Sequence, residues 1–238
     1  MKAGFSSSEP LPTQPQFILG IDTCGPAGSV ALSRITTDAV EIIAETPLEG
    51  RTYSATLVAA ISDLLQTHSL ALPYIRCLVV TSGPGSFTGV RVGLSATKGL
   101  AEGSGLPVVA VSRLEVLARK AGVTDSALDA HRHEVFLRVE EREVLAGPED
   151  LAAIEPAPGR IAVCDDASAA LLAEHLPVAE LIRAAAPTAA DAIALAAPRI
   201  RAGEFEDILL LDGHYLRRSD AEIFGEPASP APRRGGHK

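Results

Sequence analysis

Residues 82–103 read SGPGSFTGVRVGLSATKGLAEG, a glycine-rich turn running into a helix studded with small side chains. Glycines recur at Gly85, Gly89 and Gly93, and small residues again at Ser95, Gly99 and Gly103. Each glycine inside a helix costs about 1 kcal/mol relative to alanine, so the series needs a compensating contact. Two chemistries supply one: a second helix seated in the groove of missing side chains, or a phosphate on the free N–H groups of the helix N-terminus. The first predicts a protein partner and the second a nucleotide. Packing of the helix on its own sheet accounts for Gly85 more readily than for the whole series. Ser86 lacks the G-x-S-x-G spacing of a nucleophile elbow, and no His/Asp constellation is tied to it. His131 and His133 flank Arg132 and could give two ligands to a metal, but no third accompanies them. Asp165 and Asp166 follow an apolar run at a strand end, a place where α/β folds bind ligands; capping of the helix from Ser168 explains them more simply. Glu140, Glu141, Arg142 and Glu143 read as a solvated turn. No catalytic residue and no metal site are assigned.

These groups must be held by an ordinary globular framework. The 238 residues are 47% hydrophobic and 21% charged, enough to bury one large core or two small ones. The formal net charge of -9 excludes a broad nucleic-acid footprint, which needs clustered Lys and Arg. Cys24, Cys77 and Cys164 lie far apart in apolar runs and read as reduced core residues of a cytoplasmic protein. No stretch has the length or apolarity of a membrane span or a signal peptide. Residues 1–15 and 225–238 are rich in Pro, Ser, Gly and Ala and are expected to be disordered tails. Between them, FILGIDT and GSVALSRI flank a CGPA turn as a hairpin, and VEIIAETPL extends the sheet. Leu57, Ile61, Leu64 and Leu65 mark an amphipathic helix over residues 52–67. CLVVT, the helix from Gly89 and PVVAVS then form a strand-helix-strand unit. Helices over 114–121, 168–175 and 188–201, with strands over 134–140 and 160–166, repeat that grammar. The fold class is α/β, with two subdomains of mixed sheets flanked by helices. They are expected at 16–104 and 105–204, with 205–224 returning to the first.

ILGIDTCGPAGSVAL, SGPGSFTGVRVGLSATKGLAEGSGLPVVAVSRLEVLA and DGHYLRRSDAEIF, in that order over residues 18–224, closely resemble the TsaB (YeaZ) family. The GPGSFTGVRVG motif is the specific part of the match. The IDT hairpin is shared by the actin, hexokinase and sugar-kinase (ASKHA) superfamily. The resemblance implies an ASKHA-type fold with a reduced second subdomain. It implies a noncatalytic scaffold that activates the paralogue TsaD, with the ATPase TsaE, to transfer threonylcarbamoyl to the adenosine 3′ of the tRNA anticodon. TsaD would dock through a helical bundle whose interface here takes in Leu57, Ile61, Gly85, Gly89, Arg91, Gly93 and Thr97. Without TsaD the same groove would pair two copies. The resemblance places Asp22 and Thr23 where the superfamily holds Mg-ATP phosphates, but Pro26 removes an N–H and no Lys follows, so the chain alone is expected to bind nucleotide weakly or not at all, leaving ATP and Mg to the complex. A structural role for Asp22 in closing the hairpin fits equally well. TsaD relatives hold a metal with two histidines on one helix; Tyr53 stands where TsaB relatives commonly have a lone His. In DGHYLRR, His214 and Gly213 depart from the family's PxYLR pattern. Tyr215 is expected to pack on the first subdomain, and Arg217 and Arg218 are basic candidates for partner or tRNA contact, the tRNA being reached only through the complex. The alternatives are an ATP-dependent transferase or glycoprotease-like enzyme, and a homodimeric binding module.

Overall fold

The computed structural model describes residues 16–50, 52–155 and 157–217. Both tails and Arg218 lie outside this range.

The first sheet is built from β1 (Gln16–Asp22), β2 (Ala27–Ile35), β3 (Val40–Glu49), β4 (Ile75–Thr81) and β5 (Val108–Val111) in the order β3-β2-β1-β4-β5. β1 is antiparallel to β2 and parallel to β4, so the sheet is mixed. Successive side chains on a strand face opposite ways. Leu19 and Ile21 of β1, with Leu78 and Val80 of β4, therefore meet α1 (Tyr53–Thr67) and α2 (Phe87–Ser104). Ile18, Cys77 and Val79 meet α6 (Ala189–Ala202) on the other face. α6 lies close because its inner face is Ala189, Ala192, Ala196 and Ala197, and because Gly20 leaves room: a Cβ there would lie 2.9 Å from Ala189 O. Its N-terminus is tied to the sheet by Ala189 N–H donating to Ser29 Oγ (2.8 Å) and Ala190 N–H donating to Glu45 Oε1 (3.0 Å). A carboxylate there also meets the positive end of the helix dipole.

The second sheet runs β10-β9-β6-β7-β8, from β6 (Asp125–Asp129), β7 (Val135–Val139), β8 (Arg142–Ala146), β9 (Arg160–Val163) and β10 (Glu180–Arg183). α4 (Pro148–Ala152) and α5 (Asp166–His175) cover one face, and Leu114 and Leu117 of α3 (Arg113–Ala121) pack on the other. The expected boundary at residue 105 precedes β5, which pairs with β4 in the first sheet, and α6 also serves that sheet although it follows the second. The acidic run at 140–143 is not a solvated turn throughout. β8 starts at Arg142, and the Glu143 side chain is buried. Among the described residues no helix is long and apolar enough to cross a membrane.

Candidate partner-binding site

The β1–β2 turn is closed from within. Asp22 is fully buried, and its Oδ1 accepts a hydrogen bond from Cys24 N–H at 2.9 Å. Its Oδ2 faces Nε of buried Arg113 at 3.8 Å. Burial raises the Asp22 carboxyl above the usual range, against the pull of the Arg113 charge. The guanidinium lies so close over the turn that a Cβ on Gly25 would sit 2.3 Å from it. Tyr53 Oη donates to Gly25 O at 2.8 Å, and burial pushes its phenol up to about 12. The Cys24 thiol donates to Thr81 O at 3.1 Å and is also raised by burial. A magnesium-bound phosphate at Asp22 would need an open carboxylate and free turn amides. Here Arg113 and Cys24 N–H take those places, so these residues do not fit that ligand. Thr23 turns inward as well, its Oγ1 donating to Gly89 O at 2.7 Å.

The glycine series divides between the inner side of α2, continued by Gly85 in the turn before it, and the outer face of the helix. A Cβ on Gly85 would lie 2.3 Å from Cys24 O, on Gly89 2.0 Å from Thr23 O, and on Gly93 2.4 Å from Thr23 Oγ1. Their four-residue spacing therefore serves close approach of α2 to its own β1–β2 turn. This corrects the expectation that Gly85, Gly89 and Gly93 line a groove open to another molecule. Thr97 is buried beside them, donating to Gly93 O at 2.8 Å, and Ile61 is buried in the core below α1. Ser95, Gly99 and Gly103 are exposed on the outer face, and a Cβ on Gly99 or Gly103 would meet nothing within 4 Å.

Between α1 and α2 the surface opens into a groove of about 460 Å³. Leu57 and Val92 line it with Val58, which is 65% exposed, and the small side chains of Ser54, Ser95 and Ala96. Of the expected interface residues, Leu57 and Arg91 reach this groove. Val58 is the large aliphatic side chain of α1 that lies off the 57, 61, 64, 65 stripe, and that position is its signal in the sequence. At one end Arg91 lays its guanidinium on the Phe87 ring, 3.6 Å from the centroid. Tyr215 packs against Phe87 with the ring centroids 5.1 Å apart and the planes tilted by 51°, and lies 5.8 Å from the same guanidinium.

Tyr215 is delivered by a C-terminal strap that crosses both sheets. Glu206 N–H donates to Val108 O at the β5 edge (2.8 Å), and Leu211 enters the core beneath α1 and α2. His214 N–H donates to Ser82 O at 2.8 Å, while its ring Nε2 lies 2.8 Å from Glu143 of β8. Glu143 also accepts from Ser112 Oγ at 2.6 Å and Arg138 at 3.0 Å. Burial alone would raise this carboxyl; the bonds from His214, Ser112 and Arg138 outweigh it and hold Glu143 below its usual value. Leu216 packs on the second side, and Arg217 pairs with Glu134.

The remaining candidates are engaged locally. Asp165 caps α5 by accepting from Ser168 N–H at 2.7 Å, and Asp166 pairs with Arg183. His131 pairs with Asp129, and the described residues contain no group of three metal-ligating side chains. The cysteines are free thiols, although Cys164 is only half-buried.

A family profile described as "TsaD: tRNA N6-adenosine threonylcarbamoyltransferase" matches residues 46–194. The chain is 36% identical over 148 residues to "tRNA threonylcarbamoyladenosine biosynthesis protein TsaB" of Escherichia coli (strain K12), covering 58% of this chain and 62% of that one. It is 37% identical over 123 residues to the protein of the same name from Bacillus subtilis (strain 168), covering 50% and 52%. The match thus spans less than two thirds of these relatives' lengths. The solved structure "YeaZ from Pseudomonas aeruginosa" superposes with a TM-score of 0.66 at 25% identity, over 84% of this chain and 100% of that one. With its two mixed sheets the fold is ASKHA-like. On these grounds the chain belongs to the family that the TsaD profile describes, on its TsaB (YeaZ) side.

Proposed function

We propose that the chain is a noncatalytic, activating subunit in tRNA threonylcarbamoyladenosine synthesis, docking a TsaD-type transferase along the groove between α1 and α2. The observation that carries this reading is the groove itself: an exposed apolar and small-residue channel between two helices, beside a turn whose acidic residue is enclosed. The names of the curated relatives support the modification. Aligned helices seated across a narrow channel bury apolar surface at about 25 cal/mol per Å², and small side chains let their axes approach. TsaE joins this assembly, tRNA is reached through it, and two copies pair on the same face when the transferase is absent.

The test mixes the chain with TsaD from the same organism, measures mass by light scattering, and assays threonylcarbamoyl transfer to tRNA with and without it. A heteromeric complex that permits transfer, with no turnover by this chain alone, is the expected result. Absence of both complex and stimulation would overturn the proposal.

A further inference from the structure

The groove has an electrical polarity at one end. Arg91 is the charged group among its lining residues, and no carboxylate pairs with it among the described residues. Yet its guanidinium is held in place. Phe87 lies 3.6 Å beneath it and Tyr215 braces Phe87, so residues from two separate sequence motifs fix one cation. Stacking engages the flat face of a guanidinium and leaves its edge N–H donors pointing outward, in the fork that matches a carboxylate. Holding the side chain in advance also lowers the entropy lost when a partner arrives. The chain as a whole carries -9, so this fixed cation is set against an acidic background.

We propose that the occupant of the groove is an amphipathic helix of the partner that lays an apolar face over Leu57, Val58 and Val92 and sets an Asp or Glu carboxylate on Arg91. This rests on the docking reading given above and adds the chemistry of the segment that docks. Arg91 fixes the register of that helix: a one-turn slip would move the carboxylate about 5.4 Å away from the fork. Tyr215 is a positioning residue in this arrangement, acting through Phe87 and Arg91.

Calorimetric titration with the TsaD partner from the same organism tests it, using wild type, Val58→Asp, Arg91→Glu, Arg91→Gln and Arg91→Lys at low and moderate salt. Both Val58 and Arg91 are exposed, and thermal midpoints check that each variant is folded. Arg91→Glu is expected to weaken binding roughly thirtyfold or more, the scale for truncating or opposing a desolvated charge pair. Arg91→Lys should fall between it and wild type, since an ammonium keeps the charge but loses the fork. The salt dependence of wild type should shrink in Arg91→Gln. If Val58→Asp abolishes binding while Arg91→Glu stays within threefold of wild type, the groove is the interface and the carboxylate anchor is overturned. If Val58→Asp also binds normally, the docking reading itself fails, and the anchor with it.

Discussion

Substituting two glycines of the same helix should have opposite effects. At Gly89 the added methyl would sit 2.0 Å from the backbone carbonyl of Thr23, which cannot rotate aside. Relief requires α2 or the β1–β2 turn to move, stretching the 2.7 Å hydrogen bond from Thr23 Oγ1 to Gly89 O. Overpacking a filled interior costs about 1–3 kcal/mol, and a rigid obstacle places this site at the upper end. The gain in helix propensity is less than about 1 kcal/mol, because Gly89 sits in the first turn after the Ser86 cap. Gly89→Ala should therefore lose about 2 kcal/mol. At Gly99 the methyl meets open space in mid-helix, so Gly99→Ala should gain up to about 1 kcal/mol. For a chain of this size the two midpoints should part by roughly 6–12 °C, at about 2–4 °C per kcal/mol. Thermal unfolding followed by far-UV circular dichroism, with urea titration as a check on slope, measures both. Equal midpoints, or a Gly99→Ala monomer less stable than wild type, would refute the division of α2 into a packed and an open face.

Two buried charges make further predictions. Glu143 is held below its ordinary value, so it contributes stability above the unfolded pKa of about 4.3 and loses it as pH falls through the lower folded value; Glu143→Gln should flatten this acid limb in urea titrations across pH, and an unchanged limb would contradict the strap geometry. Arg113→Ala would leave Asp22 buried without its counter-charge, a loss on the order of 3 kcal/mol at neutral pH. Asp22 is already raised, so its contribution is present below the unfolded pKa and is lost as pH rises through the folded one. The Arg113→Ala penalty should accordingly shrink in acid, and Asp22→Asn in the same chain should recover part of it at pH 7; a penalty independent of pH would oppose a charge-based origin.

The first sheet was legible because β1, β2 and β4 are long apolar runs bounded by turn residues, and α1 carries an apolar stripe. β6 escaped notice because DSALD offers no β-branched residue: its strand state comes from β7 and β9 pairing on both sides. β8 and β10 were hidden for a different reason: they are edge strands of five and four residues that mix charged and apolar side chains, too short a run to show a period. At the site, the motif showed that glycines mattered but not which way they faced, since spacing fixes a stripe on a helix and not the direction of that stripe. Arg113 over Asp22, and His214 with Glu143, join residues remote in sequence, where no local pattern records the pairing.

The position of α6 and the strap bears on how the protein is made. All five strands of the first sheet have been synthesised by residue 111, but the helix covering its second face begins at residue 189. Until then Ile18, Ala31, Cys77, Val79 and Val109 form a bare apolar surface on the nascent chain. The β5 edge waits longer still, for Glu206. Such long-range closure slows folding and leaves an aggregation-prone intermediate for the duration of synthesis. Completion of the last thirty or so residues before the strap ends, rather than emergence of the first sheet, is thus the step that seals the molecule, and a chain cut before residue 189 would carry a finished sheet with one face unsheltered.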